Sequence, residues 1–513
     1  MKAPRELIAY NDLKRIILEP GFCILCGACE AACPVHALRV EGNKLNYLFD
    51  CSKHMEFCPI CYDVCPFTDA LLLETLGFVT DAPNRRESIG YYRKIVLAQS
   101  TDEKLRELSH SGGVVTALLL HGIKTDFIDS AVVSESEEEI PIRLRPSVSL
   151  VPDDLLAAVD CKYFPSAVAK AFGKAVHEYG RAEIAFVGTP CQVRAIRKLE
   201  AWEHKIINSL KIVIGLVCLW SFSFPELAKF LEKSYGIKAS NIQRIDMDKE
   251  YKVLTKDKKQ ISIPISEVEE HTLDICRMCE DFTAELADIS VGGAHPLIDW
   301  SIVIVRTEVG EKLLEDAVKA GVIRVRSIEE EPEVYRHFVE MALLKRQYAI
   351  KEMEKRKEKG ELVPPSFERM VELLPREESL LSMLRAEQIM TRDVMTVNPE
   401  TSVEELLSIM TRHHHMGYPL VNEKNELVGI VTFEDVSKVP ASERAKISAK
   451  EIAHKKLITV NPDASAMEVY EKMNEHKIGR ILVVDRKNPK KLLGIITKTD
   501  ILHTLRWPMK RKR

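Results

Sequence analysis

The sequence predicts a multidomain α/β protein, and three observations lead to that fold class. Eight of the 13 cysteines fall in the first 65 residues, short apolar runs alternate with helical stretches in the middle of the chain, and an internal repeat follows. The length of 513 residues allows about three or four domains. We therefore expect domains at 1–80, 90–344 and 385–507, a charged helical linker at 345–384 and a basic tail at 508–513.

The composition argues against several classes of protein. Lysine plus arginine total 73 against 77 acidic residues, a net charge of −4, and a nucleic-acid coat protein needs a basic excess. No apolar run approaches the ~20 residues of a membrane span, and the first residues lack the apolar core of a signal peptide. We expect a soluble, cytoplasmic protein whose clustered cysteines hold metal rather than form disulfides.

The N-terminal cysteines have the spacing of a two-cluster bacterial ferredoxin, Cys23-x2-Cys26-x2-Cys29-x3-Cys33-Pro34 followed by Cys51-x6-Cys58-x2-Cys61-x3-Cys65-Pro66. In such proteins the fourth cysteine of a run binds the other cluster. We therefore expect one 4Fe–4S cluster on Cys23, Cys26, Cys29 and Cys65, and another on Cys33, Cys51, Cys58 and Cys61. Zinc is the competing interpretation, because CxxC pairs also form zinc sites, but two Cys-x3-Cys-Pro endings are not a zinc signature.

Two adjacent clusters would transfer electrons one at a time, so the central domain should contain a site that donates electrons to them or accepts electrons from them. The runs 94–98, 182–187 and 212–217 are each typical of a short, buried strand. Ligands bind at the carboxyl ends of strands in open α/β sheets. Such an end is predicted at Gly188 and Thr189.

A second candidate site lies at Ser111, Gly112 and Gly113, which open a predicted helix that includes Thr116. The N–H groups and dipole at the N-terminus of a helix favour a phosphate. Ser-Gly-Gly is also a common turn without a ligand. Both interpretations remain open from the residues alone.

The other cysteines indicate a third 4Fe–4S cluster in the central domain. Cys276 and Cys279 form a CxxC ligand pair, while Cys191 and Cys218 each follow a strand-like run. These four are the candidate ligands. The alternative is that Cys218 is a small buried apolar side chain, as most free cysteines are.

These motifs together resemble the coenzyme F420 hydrogenase/dehydrogenase beta-subunit family. The resemblance covers residues 10–345 and is carried by the runs 111–113, 188–192, 216–218, 276–279 and 281–292. It implies a central flavin domain that binds FAD, a nearby 4Fe–4S cluster and coenzyme F420, a deazaflavin, as substrate. The implied cofactor contacts are Ser111, Gly112, Gly113, Thr116, Lys162, Gly188 and Thr189.

Two features of the resemblance leave alternatives open. Cys161 stands where the family has the serine of a Ser-Lys-Tyr motif, so it is either an inert substitution or a rival fourth ligand of the third cluster. Lys162 suits a cofactor phosphate and is equally well explained as a surface lysine. No catalytic acid or base is expected, because flavin accepts a hydride and passes on single electrons.

The C-terminal repeat resembles a pair of CBS domains. Thr-Val-Asn-Pro at 396–399 recurs 63 residues later, and each copy ends with Gly-Ile-Val/Ile-Thr-x-x-Asp. The resemblance implies that an adenine nucleotide contacts Thr432, Asp435, Thr497 and Asp500. The competing interpretation is that each aspartate caps a helix and the pair serves only to dimerise the protein. Three consecutive histidines at 413–415 indicate a helix end rather than a metal site.

We therefore expect an oxidoreductase that transfers electrons between reduced coenzyme F420 and a one-electron acceptor, with the CBS pair responding to adenine nucleotides. The acceptor would be ferredoxin or a hydrogenase, dehydrogenase or synthase subunit. One alternative is a flavin reductase that uses ferredoxin electrons to reduce an organic substrate. Another is a non-catalytic subunit that transfers electrons and senses nucleotides within a larger complex.

Overall fold

A computed structural model describes residues 9–54, 58–86, 88–109, 111–158, 163–247, 250–368, 384–413, 417–476, 478–497 and 500. The chain divides into two compact units, Met1–Leu374 and Pro375–Arg513. No helix in the described ranges is long and apolar enough to cross a membrane. Two residues of the sequence analysis, Cys161 and Lys162, lie outside the described ranges.

The first unit begins with the cysteine-rich N-terminal segment, which contains short helices and one β-hairpin. Its elements are α1 (Ala9–Leu13), α2 (Ala28–Ala31), β1 (Leu38–Glu41), β2 (Lys44–Tyr47), α3 (Ile60–Asp63) and α4 (Leu72–Leu76). Short elements are expected here, because cysteine-rich loops have little apolar periodicity to support longer helices.

The α/β domain follows. Its strands are β3 (Asn84–Arg86), β4 (Gly90–Tyr92), β5 (Lys94–Ser100), β6 (Ser130–Ser136), β7 (Leu144–Ser149), β8 (Ile184–Gly188), β9 (Leu210–Leu216), β10 (Ile242–Met247), β11 (Glu250–Thr255), β12 (Gln260–Pro264), β13 (Ile289–Ala294), β14 (Leu297–Val305) and β15 (Ile323–Ser327). Its helices are α5 (Glu103–Leu108), α6 (Val114–Lys124), α7 (Pro152–Ala157), α8 (Val168–His177), α9 (Pro190–Ala201), α10 (Phe224–Tyr235), α11 (Ile265–Val268), α12 (Asp274–Arg277), α13 (Glu308–Lys319) and α14 (Pro332–Glu358).

An eight-stranded mixed sheet organises this domain, with strand order β15-β5-β14-β13-β9-β8-β6-β7. Strands β13, β9, β8 and β6 are mutually parallel, and β5 runs in the same direction because two antiparallel pairings separate it from β13. The carboxyl ends of these five strands therefore lie at one edge of the sheet. The strands predicted from the runs 94–98, 182–187 and 212–217 are confirmed as β5, β8 and β9.

One hydrophobic core joins the N-terminal segment to the α/β domain. Phe22 and Val64 of the N-terminal segment are buried in the same cluster as Phe172 of α8 and Val193 of α9. Met353 of α14 and the later Phe367 are buried there too. The cysteine-rich segment is thus part of the first unit's core rather than an appended domain.

Helix α14 differs from the sequence-based expectation. The predicted boundary between 344 and 345 falls inside this 27-residue helix, and the sequence predicts a solvated helix and linker after that boundary. Lys345, Arg346, Ala349 and Met353 are instead buried. Phe338, Ala342, Lys345, Ala349 and Met353 recur every three or four residues, so they share the face that packs on the core.

The second unit contains two copies of the repeat. Its elements are α15 (Ala386–Ile389), α16 (Val403–His413), β16 (Gly417–Val421), β17 (Leu427–Thr432), α17 (Phe433–Ser437), α18 (Ala449–Ile452), β18 (Thr459–Val460), α19 (Ala466–Glu475), β19 (Arg480–Val484) and β20 (Leu492–Thr497). The structure describes α16 as far as His413; the next two histidines, and with them the helix end that the run predicts, lie outside the described residues.

The two copies are pseudo-symmetric and exchange their first segments. Val397 bridges to Leu420 in parallel, and Val460 pairs with Val483 in the same way one repeat later. Thr391 at the start of the first copy bridges to β20, and His454 at the start of the second copy bridges to β17. The predicted pairing of two imperfect copies into one module is confirmed.

Candidate functional site

The N-terminal cysteines lie in two equivalent turns. The amide of Cys33 donates to the carbonyl of Glu30 at 3.2 Å, and the amide of Cys65 donates to the carbonyl of Tyr62 at the same distance. Both cysteines come directly after a one-turn helix, α2 or α3. The two Cys-x2-Cys-x3-Cys-Pro runs therefore have the same local structure.

Two cavities bring these eight cysteines together in fours. Cys23, Cys26, Cys29 and Cys65, the middle quartet, line a cavity of about 400 Å³. Cys33, Cys51, Cys58 and Cys61, the outer quartet, line one of about 520 Å³ beside Tyr10 and Tyr47. These are the two groups that the spacing predicts, including the displaced Cys51, whose amide donates to the Tyr47 hydroxyl at 2.8 Å.

Burial raises the pKa of the Cys23 and Cys58 thiols. The pKa of Cys65 rises to about 12 even though backbone N–H groups and Lys198 oppose the change. Burial, together with neighbouring cysteines, also raises the pKa of Cys26, Cys29 and Cys61. Four crowded thiolates need a cation among them, and a coordinating metal deprotonates its thiols outright.

Each of the two cavities is lined by four cysteines, the ligand number of a 4Fe–4S cluster. A zinc ion also takes four thiolates, each about 2.3 Å from it. The ligands of a 4Fe–4S cluster each bind a different iron and surround a larger body.

The central cysteines meet at the carboxyl edge of the large sheet. Cys191 begins α9 directly after β8, and Cys218 follows β9, which is the parallel neighbour of β8. Cys276 lies in α12 and Cys279 just after it. We call Cys191, Cys218, Cys276 and Cys279 the inner quartet.

Backbone hydrogen bonds bring α12 to the sheet edge. Phe222 and Thr272 form an isolated β-bridge, and the amide of Leu273 donates to the Ser221 carbonyl at 2.9 Å. The amide of Cys218 donates to the Phe282 carbonyl at 3.0 Å. The CxxC pair is therefore held on both sides against the segment that carries Cys218.

The inner thiols are electrostatically coupled. Burial raises the pKa of Cys276 well above its usual range, and Cys218, Cys191 and Cys279 raise it further. Burial likewise raises the pKa of Cys279 to about 12 and that of Cys191 to about 11. Their donor set therefore also suits a 4Fe–4S cluster.

The three quartets are contiguous. Cys29 and Cys65 of the middle quartet interact electrostatically with Cys61 of the outer quartet. Cys26 of the middle quartet interacts with Cys191 of the inner quartet. The order is therefore outer, middle, inner, and it ends at the sheet edge.

The predicted phosphate loop lies at the same edge. The hydroxyls of Ser111 and Ser301 share a hydrogen bond of 2.9 Å, and the amide of Gly112 donates to the Ser301 hydroxyl at 3.1 Å. A Cβ on Gly112 would lie 2.7 Å from the Ala98 carbonyl, so the loop packs directly on β5. Gly113 adopts φ +68° and precedes α6, whose first turn carries Thr116. Strand β5 is three strands from β9, about 14 Å across the sheet.

Gly188 and Thr189 lie beside the inner quartet. The amide of Thr189 donates to the Gln192 side chain at 2.8 Å, which closes a capping box on α9. The Thr189 hydroxyl lies 3.4 Å from the Cys191 sulfur. A Cβ on Gly188 would lie 2.9 Å from the side chains of Phe186 and Gln192. In this structure Thr189 therefore contacts a candidate cluster ligand.

The four CBS candidates form two matching pairs. The Thr432 hydroxyl donates to the Asp435 carboxylate at 2.6 Å, and the Thr497 hydroxyl donates to Asp500 at 2.7 Å. In both copies the threonine amide donates to the same carboxylate oxygen. His454 lies 3.1 Å from the second oxygen of Asp435. In the first copy Thr432 is the N-cap of α17 and Asp435, three residues later, completes a capping box, which is the geometry of the competing interpretation.

Three buried charged groups near the quartets are absent from the sequence-based site. The Lys345 ammonium donates to the carbonyls of Cys218 and Asp281 at 2.6 and 2.7 Å. Lys198 donates to the carbonyls of Cys65 and Thr68, both at 2.7 Å. Arg194 pairs with Glu280 at 2.6 Å. The one available signal is the position of Lys345 on the apolar stripe of α14.

Four family models match most of the chain, in five segments. Residues 95–172 and 181–331 match the N-terminal and C-terminal parts of the coenzyme F420 hydrogenase/dehydrogenase beta subunit. Residues 16–39 match a 4Fe-4S binding domain, and residues 386–442 and 449–506 match CBS domains.

The relatives include subunits of several enzymes. The coenzyme F420 hydrogenase subunit beta of Methanothermobacter thermautotrophicus is 32% identical over 276 residues, which are 53% of this chain and 98% of the relative. The coenzyme F420-dependent sulfite reductase of Methanocaldococcus jannaschii is 28% identical over 361 residues, 68% of this chain and 52% of the relative.

A solved structure supports the same assignment. A chain of the F420-reducing [NiFe] hydrogenase complex from Methanosarcina barkeri superposes with a TM-score of 0.52 and 25% identity, covering 55% of this chain and 98% of that one. The chain belongs to the coenzyme F420 hydrogenase/dehydrogenase beta-subunit family, with a 4Fe–4S binding segment before the shared domain and a pair of CBS domains after it.

Proposed function

We propose that this chain is an oxidoreductase subunit that binds FAD and three 4Fe–4S clusters and exchanges electrons between coenzyme F420 and a one-electron partner. Family membership supports the role of coenzyme F420. The observation that carries the proposal is the row of three contiguous cysteine quartets, which ends at the sheet edge that also bears the Ser-Gly-Gly loop. Cysteine clusters of this kind also favour a reducing, cytoplasmic location.

The chemistry is divided between cofactor and protein. A bound FAD converts between the hydride of a deazaflavin and the single electrons that iron–sulfur clusters carry. The first turn of α6, with Ser111 and Thr116, would bind its phosphate through N–H groups and hydroxyls. Ile275 and Met278 are buried in the hydrophobic core against which Cys191, Cys276 and Cys279 pack. No side chain is assigned as a catalytic acid or base.

The CBS pair supports a regulatory role. We infer that an adenine nucleotide binds the second unit and changes the rate of electron exchange. Binding there would break the Thr432–Asp435 and Thr497–Asp500 contacts and give the two carboxylates ribose hydroxyls as partners. Direction and partner depend on the complex that the chain joins.

An anaerobic mixing experiment tests the proposal. The full chain, reconstituted with iron, sulfide and FAD, is mixed with reduced coenzyme F420, with and without AMP, ATP or S-adenosylmethionine. We expect rapid loss of flavin absorbance, then loss of iron–sulfur absorbance, at a rate that one nucleotide changes. The Cys191→Ala control should keep the flavin phase, hold about eight irons instead of about twelve, and lose the second phase.

Other outcomes favour the alternatives. If the flavin stays oxidised at full occupancy but bleaches with reduced ferredoxin, the chain is a ferredoxin-driven flavin reductase. If it bleaches with neither donor, the chain transfers electrons only within a larger complex. A Cys191→Ala variant with about twelve irons would rule out the inner cluster.

A further inference from the structure

Lys345 occupies an unusual position for a lysine. Lys345 is only 4% exposed and lies on the core-facing side of α14. Its ammonium donates to the carbonyl of Cys218, an inner-quartet residue, and to the carbonyl of Asp281, two residues beyond Cys279. It therefore ties together the two segments that carry three of the four inner cysteines.

The charge of Lys345 is directed at the inner quartet. Its side-chain nitrogen donates to two carbonyl oxygens, at 2.6 and 2.7 Å, which are the contacts of an ammonium group.

The neighbouring charges are already engaged. Arg194 is paired with Glu280 at 2.6 Å. The Asp281 carboxylate accepts the Glu285 amide at 3.1 and 3.2 Å, and Glu285 pairs with Arg346 at 2.6 Å. Among the residues that the structure describes, no carboxylate lies within ion-pair distance of Lys345. Lys345 therefore places at the inner quartet a positive charge that belongs to no ion pair among those residues.

Reduction of any iron–sulfur group held by four thiolates adds one negative charge in a site of low dielectric. A fixed cation hydrogen-bonded to the segments that carry three of the four ligands stabilises the reduced form more than the oxidised form. The second hydrogen bond, to the Asp281 carbonyl, fixes the cation against the segment that carries Cys279. The effect acts on the equilibrium between the two oxidation states and needs no proton transfer.

We propose that Lys345 is a positioning residue that raises the reduction potential of the cluster on the inner quartet and holds the Cys218 and Cys279 segments together. This inference rests on the proposed function, because it requires a cluster on those four cysteines. The inference gives Lys345, the first residue of the basic stretch that was expected to be a linker, a role in electron transfer.

The test is a redox titration of the reconstituted full chain followed by electron paramagnetic resonance and by iron content. The inner signal is the one that disappears in Cys191→Ala. In Lys345→Met we expect about twelve irons and an inner potential lower by about 59 mV or more, which is a tenfold change in the reduction equilibrium. Lys345→Arg, which keeps the charge, should restore most of the shift.

Lys198→Met is the matched control, because Lys198 is also fully buried and donates to the carbonyl of Cys65 in the middle quartet. It should move a middle-cluster signal and leave the inner one unchanged. An unchanged inner potential in Lys345→Met at full iron content would overturn the inference and leave the proposed function standing.

The iron content of the Lys345 variants also tests the inference. If Lys345→Met loses the inner cluster and Lys345→Arg keeps it, the charge is required and the inference holds. If both variants lose it, side-chain shape rather than charge matters and the inference fails. A wild-type chain with about eight irons would overturn both this inference and the inner cluster of the proposed function.

Discussion

Gly27 shows how closely the N-terminal segment approaches the α/β domain. Its φ is +82°, and a Cβ there would lie 2.6 Å from the Cβ of Lys170 and 2.9 Å from its amide nitrogen. The adjacent Cys26 carbonyl accepts the Ala169 amide at 3.0 Å. The absence of a side chain at one position therefore lets α8 lie directly against a cysteine of the middle quartet.

We expect Gly27→Ala to destabilise the first unit more than Gly21→Ala does. Gly21 has a similar φ of +77°, but a Cβ on Gly21 would have no atom within 4 Å. Both alanines incur about 1–2 kcal/mol from the left-handed backbone, and only Gly27→Ala adds a clash. Thermal unfolding of the two variants measures the difference, and equal losses would contradict the close packing against Lys170.

At the scale of elements, strands are more predictable from the sequence than helices. Strands β5, β8 and β9 can be predicted because short buried strands are continuous apolar runs. Helix α14 is wrongly divided by the sequence analysis because its second half is rich in lysine and arginine. Because so many residues there are charged, the sequence does not show the buried stripe through Ala342, Lys345 and Ala349. Only the packing of the helix shows which of its faces is buried.

The inner quartet can be predicted only as a set of candidates. Cys191 and Cys218 follow neighbouring strands, so their sequence context places them at one sheet edge. Cys276 and Cys279 lie at this sheet edge because Phe222 and Thr272 form a β-bridge. These two residues are far apart in the chain, and no local sequence pattern predicts that they pair. For the same reason, the sequence does not predict that the buried basic side chains of Lys345, Lys198 and Arg194 lie near the quartets.

Helix α17 provides a pH-dependent prediction. Burial would raise the pKa of Asp435, but hydrogen bonds from Thr432 and the nearby His454 hold it below its usual value. Its contribution to stability is therefore complete above about pH 4 and is lost as the pH falls through the lower folded-state pKa. Asp435→Ala should destabilise the second unit by about 1 kcal/mol at pH 7.

Calorimetric unfolding at pH 7 and in acid checks this prediction. The difference between wild type and Asp435→Ala should shrink as the carboxylate of the wild type becomes protonated. Asp500→Ala is the control, because that aspartate has the same capping contacts and, within the described residues, no histidine partner. It should cost less at pH 7, and a pH-independent difference for Asp435→Ala would contradict the mechanism.

The whole first unit ends later than the sequence suggests. Its hydrophobic core includes Ala349, Met353, Val363 and Phe367, all beyond the predicted boundary at 344. The compact unit itself extends to Leu374. The stretch expected to be a linker is therefore needed to complete the core around the cysteine quartets.

Two truncated chains test this boundary. A chain of residues 1–374 should fold and keep the wild-type iron content after reconstitution, because it retains the complete core of the first unit. A chain of residues 1–344 should aggregate or bind less iron, because it lacks the core residues of α14 and Lys345. Iron analysis and circular dichroism compare them, and equal behaviour would show that α14 is dispensable.

Helix α9 has a consequence for how heat affects the protein. Cys191 lies in its first turn and Lys198, which donates to the Cys65 loop, lies two turns later, a rise of about 10 Å. The helix thus fixes the distance between the inner and middle quartets, in addition to the packing of side chains around them. In the proposed function, the distance that an electron would cross between these quartets is set by a buried helix rather than by surface loops, so we expect it to change little as the molecule warms.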